Sequence, residues 1–192
     1  VLDPARPAVF VDTDAVKAVE SRADTLVENR AEAEWIVRMS DMLIQANVAA
    51  ADIGILTPYR QQAKLLRDRC ACEVLTVDQA QGRDWPVVLV SLVRSNKTRT
   101  VGELLRDQRR VNVMITRAKT KLVLVGSYST MIHGPCTEPM PALLPLLRMI
   151  QPKEPADIPV HVSPGRQRYV KKARRPTPVV TDLLNEQDCI AE

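Results

Sequence analysis

The feature that most constrains the fold of this 192-residue chain is a regular alternation of short apolar runs with amphipathic segments. Residues 87–93 form a near-continuous apolar run, which is typical of a strand buried on both faces of a sheet. Shorter apolar runs at 8–12, 53–57, 74–77 and 121–126 predict four further strands. All five runs are too short to span a membrane, which takes about 20 apolar residues.

Between the strands, apolar residues recur at helical spacing. This spacing predicts helices over 30–46, 61–69, 107–118 and 141–150, with Asn29 as the N-cap of the first. Strands that alternate with helices imply an α/β fold in which a parallel β-sheet carries helices on both faces.

Functional loops of such sheets collect at the carboxyl ends of the strands. The loops that follow Thr57, Val77 and Val93 are therefore the first places to search for a site.

Composition changes near residue 150, which predicts a folded domain over 1–150 and a largely disordered tail over 151–192. Six of the 14 prolines lie in this tail, and apolar residues become rare there. A basic run at 166–175 contains no acidic residue. It could be a nuclear import signal or a nucleic-acid contact, and an ordinary solvated tail is an equal alternative.

The sequence lacks the residues that would let this segment bind a nucleotide triphosphate unaided, and it lacks a recognisable metal-binding pattern. No glycine is followed by lysine, so there is no phosphate-binding loop, and we find no strand that ends in an acidic pair for magnesium. Cys70 and Cys72 have no second pair or nearby histidine, so we predict reduced intracellular thiols and no side-chain metal site. The chain opens at Val1 without a leader, which we interpret as a cut in a longer protein.

Three segments carry the functional argument, and the first is Ile55 to Gln62. Its Thr57-Pro58-Tyr59 places a hydroxyl, an aromatic ring and a helix N-terminus in one loop. Such groups suit backbone phosphates and base stacking. A capped turn with a core tyrosine is the alternative.

The second segment, Thr76 to Asp84, ends in Gln81-Gly82-Arg83-Asp84. These residues could orient phosphates and ribose hydroxyls, or they could form a polar turn in which Arg83 pairs with Asp84 on the surface.

The third segment, Arg109 to Lys119, places Arg110 and Arg117 seven residues apart on one helix face. Two guanidinium groups on one face repel each other unless an anion lies between them. Arginine suits a transferred phosphoryl group because its fork is planar and always charged. Ordinary surface charge is the alternative.

Taken together and in this order, the three segments resemble motifs of the second RecA-like domain of superfamily 1B helicases. The resemblance covers about residues 8–150. Within that superfamily the chain is most similar to the DNA replication ATP-dependent helicase/nuclease family, through Val93 to Lys97 and Val101 to Arg110. Ala80 and Met114 depart from the usual residues at their positions without removing a group that the mechanism needs.

The resemblance implies roles in the nucleotide site. Arg117 would be the arginine finger that reaches the γ-phosphate of ATP, and Arg110 would link the nucleotide site to the domain interface. Gln81 and Gly82 would sense the nucleotide, and Asp84 would meet its ribose. Arg30 matches a γ-phosphate arginine of the RNA-helicase branch, which the helicase/nuclease branch does not always keep.

The resemblance also implies nucleic-acid contacts, cofactors and partners. The strand-contacting residues would be Thr57, Pro58, Tyr59, Arg60, Thr76, Val77 and Asn112. ATP with Mg²⁺ would be bound mainly by an upstream RecA-like domain, and any nuclease or iron–sulfur cluster would also lie upstream. Implied partners are single-stranded DNA and a single-strand-binding protein, in the nucleus and also the mitochondrion, with no membrane.

The full enzyme would be an ATP-dependent 5′-to-3′ DNA helicase, and this segment alone should not hydrolyse ATP. An RNA helicase of nonsense-mediated decay and a non-catalytic nucleic-acid-binding scaffold remain as alternatives. The finger hypothesis requires the side chain of Arg117 to face the functional edge of the sheet. It also requires that no carboxylate of its own domain holds that side chain.

Overall fold

The computed structural model describes residues 3, 5–23, 26–132, 143–150 and 152–153, the last pair as backbone only. The predicted tail therefore lies outside the described residues, except for 152–153. The boundary at residue 150 and the disorder beyond it stay predictions.

A parallel β-sheet forms the centre of the fold. The strands are, in chain order, β1 (Ala8–Asp12), β2 (Ser21–Ala23), β3 (Leu26–Glu28), β4 (Ile53–Thr57), β5 (Glu73–Thr76), β6 (Trp85–Ser91), β7 (Ala118–Gly126) and β8 (Pro152–Lys153). Six of them form the main sheet in the order β5-β4-β6-β7-β1-β8, and neighbouring strands within it run parallel. The remaining two, β2 and β3, form an antiparallel hairpin. The predicted α/β RecA-like fold is confirmed.

Helices connect the strands. They are α1 (Arg30–Gln45), α2 (Arg60–Arg67), α3 (Glu103–Arg106), α4 (Gln108–Thr116), α5 (Tyr128–Ile132) and α6 (Leu143–Met149). Two short 3₁₀ helices cover Ala50–Asp52 and Val77–Ala80. Asn29 caps α1 as predicted, since its Oδ1 accepts a hydrogen bond from the Glu32 amide at 3.0 Å. None of the described helices is long and apolar enough to cross a membrane.

The helices bury apolar side chains on both faces of the sheet. One face packs α1 and α2 against the sheet through residues such as Ile36 and Leu66. The other face packs α4 through Val111 and Met114, together with α6 through Leu147. Alternate strand residues point to opposite faces, so β6 contributes to both cores.

The predicted elements differ from the observed ones mainly at their ends. The helix predicted over 107–118 ends at Thr116, and β7 begins at Ala118 rather than at residue 121. The difference results from a tertiary contact. The Trp85 amide donates a hydrogen bond to the Arg117 carbonyl at 3.0 Å, so the backbone after Arg117 pairs with β6 and does not continue the helix. The β2–β3 hairpin, α3 and α5 were not predicted, because elements of three to five residues carry too little periodicity.

We expect Gly54→Ala to destabilise the domain, because the glycine lies under the indole ring of Trp85. A Cβ at position 54 would lie 2.7 Å from Trp85 Cε3, and both residues are buried. Overpacking of this kind costs about 1–3 kcal/mol, which a urea titration would measure. Adding Trp85→Leu to Gly54→Ala should recover part of the loss, whereas strictly additive costs would contradict the contact.

Candidate functional site

Two ion pairs join α4 to the segment between β5 and β6. Arg110 Nε lies 2.9 Å from Asp78 Oδ1, and Arg117 Nη1 lies 2.9 Å from Asp84 Oδ1. Both carboxylates belong to segment 77–84, which packs beside α4. The two arginines share a helix face, as their spacing predicts, and that face is turned towards the second motif.

Arg110 lies at the start of α4. Asp107 caps this helix by accepting from the Arg109 amide at 2.9 Å, and its other oxygen lies 3.1 Å from Arg110 Nη1. The hydrogen bond to Asp78 raises the pKa of Arg110, because it stabilises the charged form of the guanidinium. The side chain is 36% exposed and therefore remains accessible to a partner.

Arg117 departs from both conditions that the sequence analysis set for it. It lies directly before β7, at the edge where β6 and β7 begin, which is opposite the carboxyl edge expected to carry function. Its guanidinium is paired with Asp84 of the same domain, and its Nε donates to the Val113 carbonyl at 3.2 Å. The pair forms because the chain between β5 and β6 returns to this edge and brings Asp84 beside the end of α4.

The turn that contains Gln81 and Gly82 is exposed. Gly82 has a φ of 78°, a conformation that glycine adopts without steric cost, and no atom lies within 4 Å of where a Cβ would stand. The alternative pairing of Arg83 with Asp84 is wrong, because Arg83 instead forms an ion pair with Glu73.

Arg30 belongs to a different surface. Its helix, α1, packs on the face of the sheet opposite to α4, so the structure does not group Arg30 with Arg110 and Arg117. The side chain is 80% exposed, and its Nε lies 2.9 Å from Glu28 Oε1. The hydrogen bond from Arg30 lowers the pKa of Glu28.

Most of the residues predicted to contact nucleic acid are buried. The buried members are Thr57, Pro58, Tyr59, Thr76 and Val77, and the exposed ones are Arg60 and Asn112. The Tyr59 ring is 6% exposed and packs with Val27 and Val93, so in this structure it presents no free face for a base. This geometry favours the core-tyrosine alternative and leaves Arg60 as the exposed member of the loop after β4.

A buried polar network at the carboxyl edge was missed by the sequence analysis. Asn29 and Gln62 exchange two hydrogen bonds, in which the Asn29 amide donates to Gln62 Oε1 at 2.8 Å and Gln62 Nε2 donates to the Asn29 carbonyl at 3.0 Å. Gln62 Nε2 also donates to Ser91 Oγ at 3.0 Å. The network therefore ties the first turns of α1 and α2 to the end of β6.

Glu32 is the ionisable member of this network and is fully buried. Its Oε1 accepts from Ser91 Oγ at 2.6 Å and from the Val93 amide at 2.9 Å. Burial raises the pKa of Glu32 to about 8, against the opposing effect of these hydrogen bonds. Helical spacing from Ile36 and Leu43 already places position 32 on the buried face of α1, so periodicity was the available signal.

Val93 has a φ of 71°, which is a costly conformation for a β-branched residue. Glu32 accepts from its amide, and Asn29 Nδ2 donates to its carbonyl at 3.2 Å. The N–H and the C=O of this strained residue are therefore held by Glu32 of α1 and by Asn29, the N-cap of α1, which directs the chain out of β6 in one defined direction.

One acidic pair at a strand end was also missed. Asp12 is the last residue of β1, and Asp14 lies two residues further on. The Asp12 carboxylate accepts a hydrogen bond from the Tyr128 amide at 3.0 Å, and the Asp14 carboxylate accepts one from the Ser129 amide at 2.8 Å. They serve as caps for the start of α5. Among the described residues there is no group of three or more His, Cys, Asp or Glu that could hold a metal ion.

Cys70 and Cys72 are free thiols. Burial raises the pKa of Cys70 to about 11 and that of Cys72 to about 12, so both stay protonated at neutral pH. An iron–sulfur cluster takes thiolate ligands, usually four. Two thiols fall short of that number, and within the described residues no other His, Cys, Asp or Glu joins them in a group of three.

Comparisons with known proteins identify the family of the chain. The chain is 47% identical to the DNA replication ATP-dependent helicase/nuclease DNA2 of Homo sapiens over 149 residues, which is 75% of this chain and 14% of that protein. It is 41% identical to the helicase/nuclease JHS1 of Arabidopsis thaliana over 140 residues, or 70% of this chain and 10% of that protein. The chain thus spans about one seventh or less of the curated relatives it matches. The family profile described as AAA domain, AAA_12, matches residues 1–129, and the chain belongs to this family.

Proposed function

We propose that this chain is the second motor domain of an ATP-dependent 5′-to-3′ DNA helicase of replication and repair. ATP would bind between this domain and an upstream RecA-like domain that supplies the phosphate loop. The chain would contribute Arg117 as the arginine finger, with Gln81, Gly82 and Asp84 towards the nucleotide. Arg110 would couple this site to the domain interface.

The observation that carries the proposal is the packing of segment 77–84 beside α4. This segment, α4 and the residue directly after α4 hold five of the six residues assigned to the nucleotide site or the coupling role, all except Arg30. An arginine that is paired with a carboxylate can exchange this partner for the oxygens of a triphosphate. Both anions accept hydrogen bonds from the same planar set of guanidinium N–H groups.

Arg117 meets neither condition of the finger hypothesis in this structure, so the proposal needs a closed state that differs from it in two ways. The upstream domain must meet this one at the edge where β6 and β7 begin, and not at the carboxyl edge. Arg117 must also leave Asp84 before it can reach a γ-phosphate. A partly exposed ion pair contributes only about 0–1 kcal/mol, whereas a charge-assisted contact with phosphate in a closed, water-poor cleft is considerably stronger. Closure of the cleft could therefore drive the exchange, and Asp84 would then be released towards the ribose.

Other components of the enzyme would come from the rest of the polypeptide. The carboxylates of segment 77–84 are engaged by arginines and those of Asp12 and Asp14 by backbone amides, so magnesium would be held by the upstream domain. Nuclease and iron–sulfur centres would lie there too. We place the enzyme in the nucleus, and in the mitochondrion as a second compartment, with single-stranded DNA and a single-strand-binding protein as partners.

ATPase stimulation of the full-length protein tests the substrate. We expect single-stranded DNA to raise the steady-state ATPase rate, and a matched RNA of the same length to raise it much less. Stimulation by RNA alone would indicate an RNA helicase, and no stimulation by either strand would favour a scaffold. The isolated 192-residue chain serves as the control and should show no hydrolysis.

A further inference from the structure

The loop between β6 and α3 is a fixed turn that carries two cations at its tip. Asn96 closes the turn, since its Oδ1 accepts the Thr100 amide at 2.9 Å and its Nδ2 donates to the Thr100 carbonyl at 3.0 Å. Asn96 Oδ1 also accepts from Thr98 Oγ1 at 2.8 Å. Lys97 and Arg99 project from this turn, and both are exposed.

A buried anchor holds the base of the loop. Arg94 Nε lies 2.9 Å from Glu20 Oε2, and the two side chains are only 8% and 7% exposed. The same oxygen accepts from the Ser95 amide at 2.9 Å and from Asn96 Nδ2 at 3.1 Å. A buried ion pair with these additional hydrogen bonds is costly to break, so the turn is held in one position relative to the sheet.

The two cations have no ion-pair partner among the described residues. Across the described part of the chain, no carboxylate forms an ion pair with Lys97 or Arg99. Residues 95–102 contain no acidic side chain. Arg99 moreover has a φ of 53°, where asparagine or glycine would cost less. A long cation in a strained position, with no carboxylate partner in the described part of the chain, favours a role for the side chain in contacting an external anion.

The location of the loop suggests which anion it meets. It follows β6, which pairs directly with β4, so it lies at the same edge as the loop that carries Arg60. Contact between the two loops is direct, because the Tyr59 hydroxyl and the Arg94 guanidinium both pack against Gly102. The tip of the loop and the exposed Arg60 therefore lie at the same edge of the sheet.

We propose that Lys97 and Arg99 bind two phosphates of the single-stranded DNA that the motor moves along. This inference rests on the proposed function and adds a contact to it. Asn96 acts as a positioning residue, which holds the two cations at a fixed separation.

The test is the salt dependence of binding of the full-length protein to a fluorescent oligo-dT strand. Each phosphate contact on a single strand contributes about −0.7 to the slope of log K against log salt. Lys97→Gln with Arg99→Asn should therefore make the slope shallower by about 1.4 and weaken binding on the order of tenfold at 0.1 M salt. Asparagine is chosen at 99 because it tolerates the left-handed backbone.

A charge-matched control separates local contact from loss of net charge. Lys119→Gln with Arg38→Gln removes the same charge from exposed positions on β7 and α1, and neither side chain forms an ion pair among the described residues. This control should keep the parental slope. Asn96→Ala should weaken binding while keeping the slope, because both cations remain but are less well positioned.

The outcomes distinguish the two proposals. If the parent binds oligo-dT and the Lys97/Arg99 variant keeps its slope, the loop contact is refuted while the motor assignment stands. Equal changes in the loop variant and in the control would also refute it, because net charge would then explain both. A parent with neither oligo-dT binding nor DNA-stimulated hydrolysis would overturn the loop contact and the proposed function together.

Discussion

Replacing Arg117 with alanine should lower the ATP hydrolysis rate of the full-length protein by about 10³-fold or more, while nucleotide binding changes little. A finger arginine stabilises charge that develops on the transferred phosphoryl group, so its loss affects the transition state more than the ground state. Steady-state kcat, with binding of a fluorescent nucleotide measured separately, would resolve the two effects.

Asp84 provides the critical comparison, because it is the present partner of Arg117 at 2.9 Å. If the arginine served only this ion pair, Asp84→Asn and Arg117→Ala would lower kcat equally, and the double variant would be no worse than either. We expect instead that Asp84→Asn acts mainly on KM, through the ribose, and leaves kcat within a few fold. Equal losses of kcat would reduce Arg117 to a structural role.

Lys119→Ala is the matched control for this experiment. Lys119 is an exposed cation two residues beyond Arg117, and within the described residues it takes part in no ion pair. Its removal changes the local charge by the same amount without removing the proposed finger. A large loss of kcat in this variant would mean that the general positive field, and not the Arg117 fork, supports hydrolysis.

The sheet and its main helices could be predicted because periodicity reports burial directly. The run at 87–93 and the helical spacing after Asn29 gave the central strand β6 and α1 to within two residues at each end. The end of α4 could not be predicted in this way. It is set by a hydrogen bond between Trp85 and Arg117, which are 32 positions apart. The helix propensity of the neighbouring residues does not predict a contact between positions so far apart in sequence.

The candidate site was predictable only in part, for the same reason. The sequence placed Arg110 and Arg117 on one helix face, and the structure confirms that shared face. Nothing local identifies Asp78 and Asp84 as their partners, because those pairings depend on how segment 77–84 returns across the sheet. The burial of Tyr59 is also tertiary, since it results from packing against Val27 and Val93.

The buried carboxyl of Glu32 gives the second large prediction, which concerns stability and its dependence on pH. Glu32→Ala would leave the Val93 amide and the Ser91 hydroxyl buried without their acceptor. Each such orphaned group costs about 1–3 kcal/mol, so we expect a loss of about 3 kcal/mol or more. Glu34→Ala, on the exposed side of the same helix, should cost far less, and urea denaturation of both variants would show the difference.

The pH dependence follows from the raised pKa of Glu32, about 8 in the folded state against an ordinary value of 4.5. The folded domain keeps this proton to a higher pH than the unfolded chain does, so the contribution of Glu32 is fully present below pH 4.5. It declines as the pH rises towards 8 and then levels off. Glu32→Gln removes this titration, so the Tm of the variant relative to the parent should rise between pH 5 and pH 8. A difference that stays constant across that range would mean that the hydrogen bonds from Ser91 and Val93 keep Glu32 ionised, and that its burial is fully compensated.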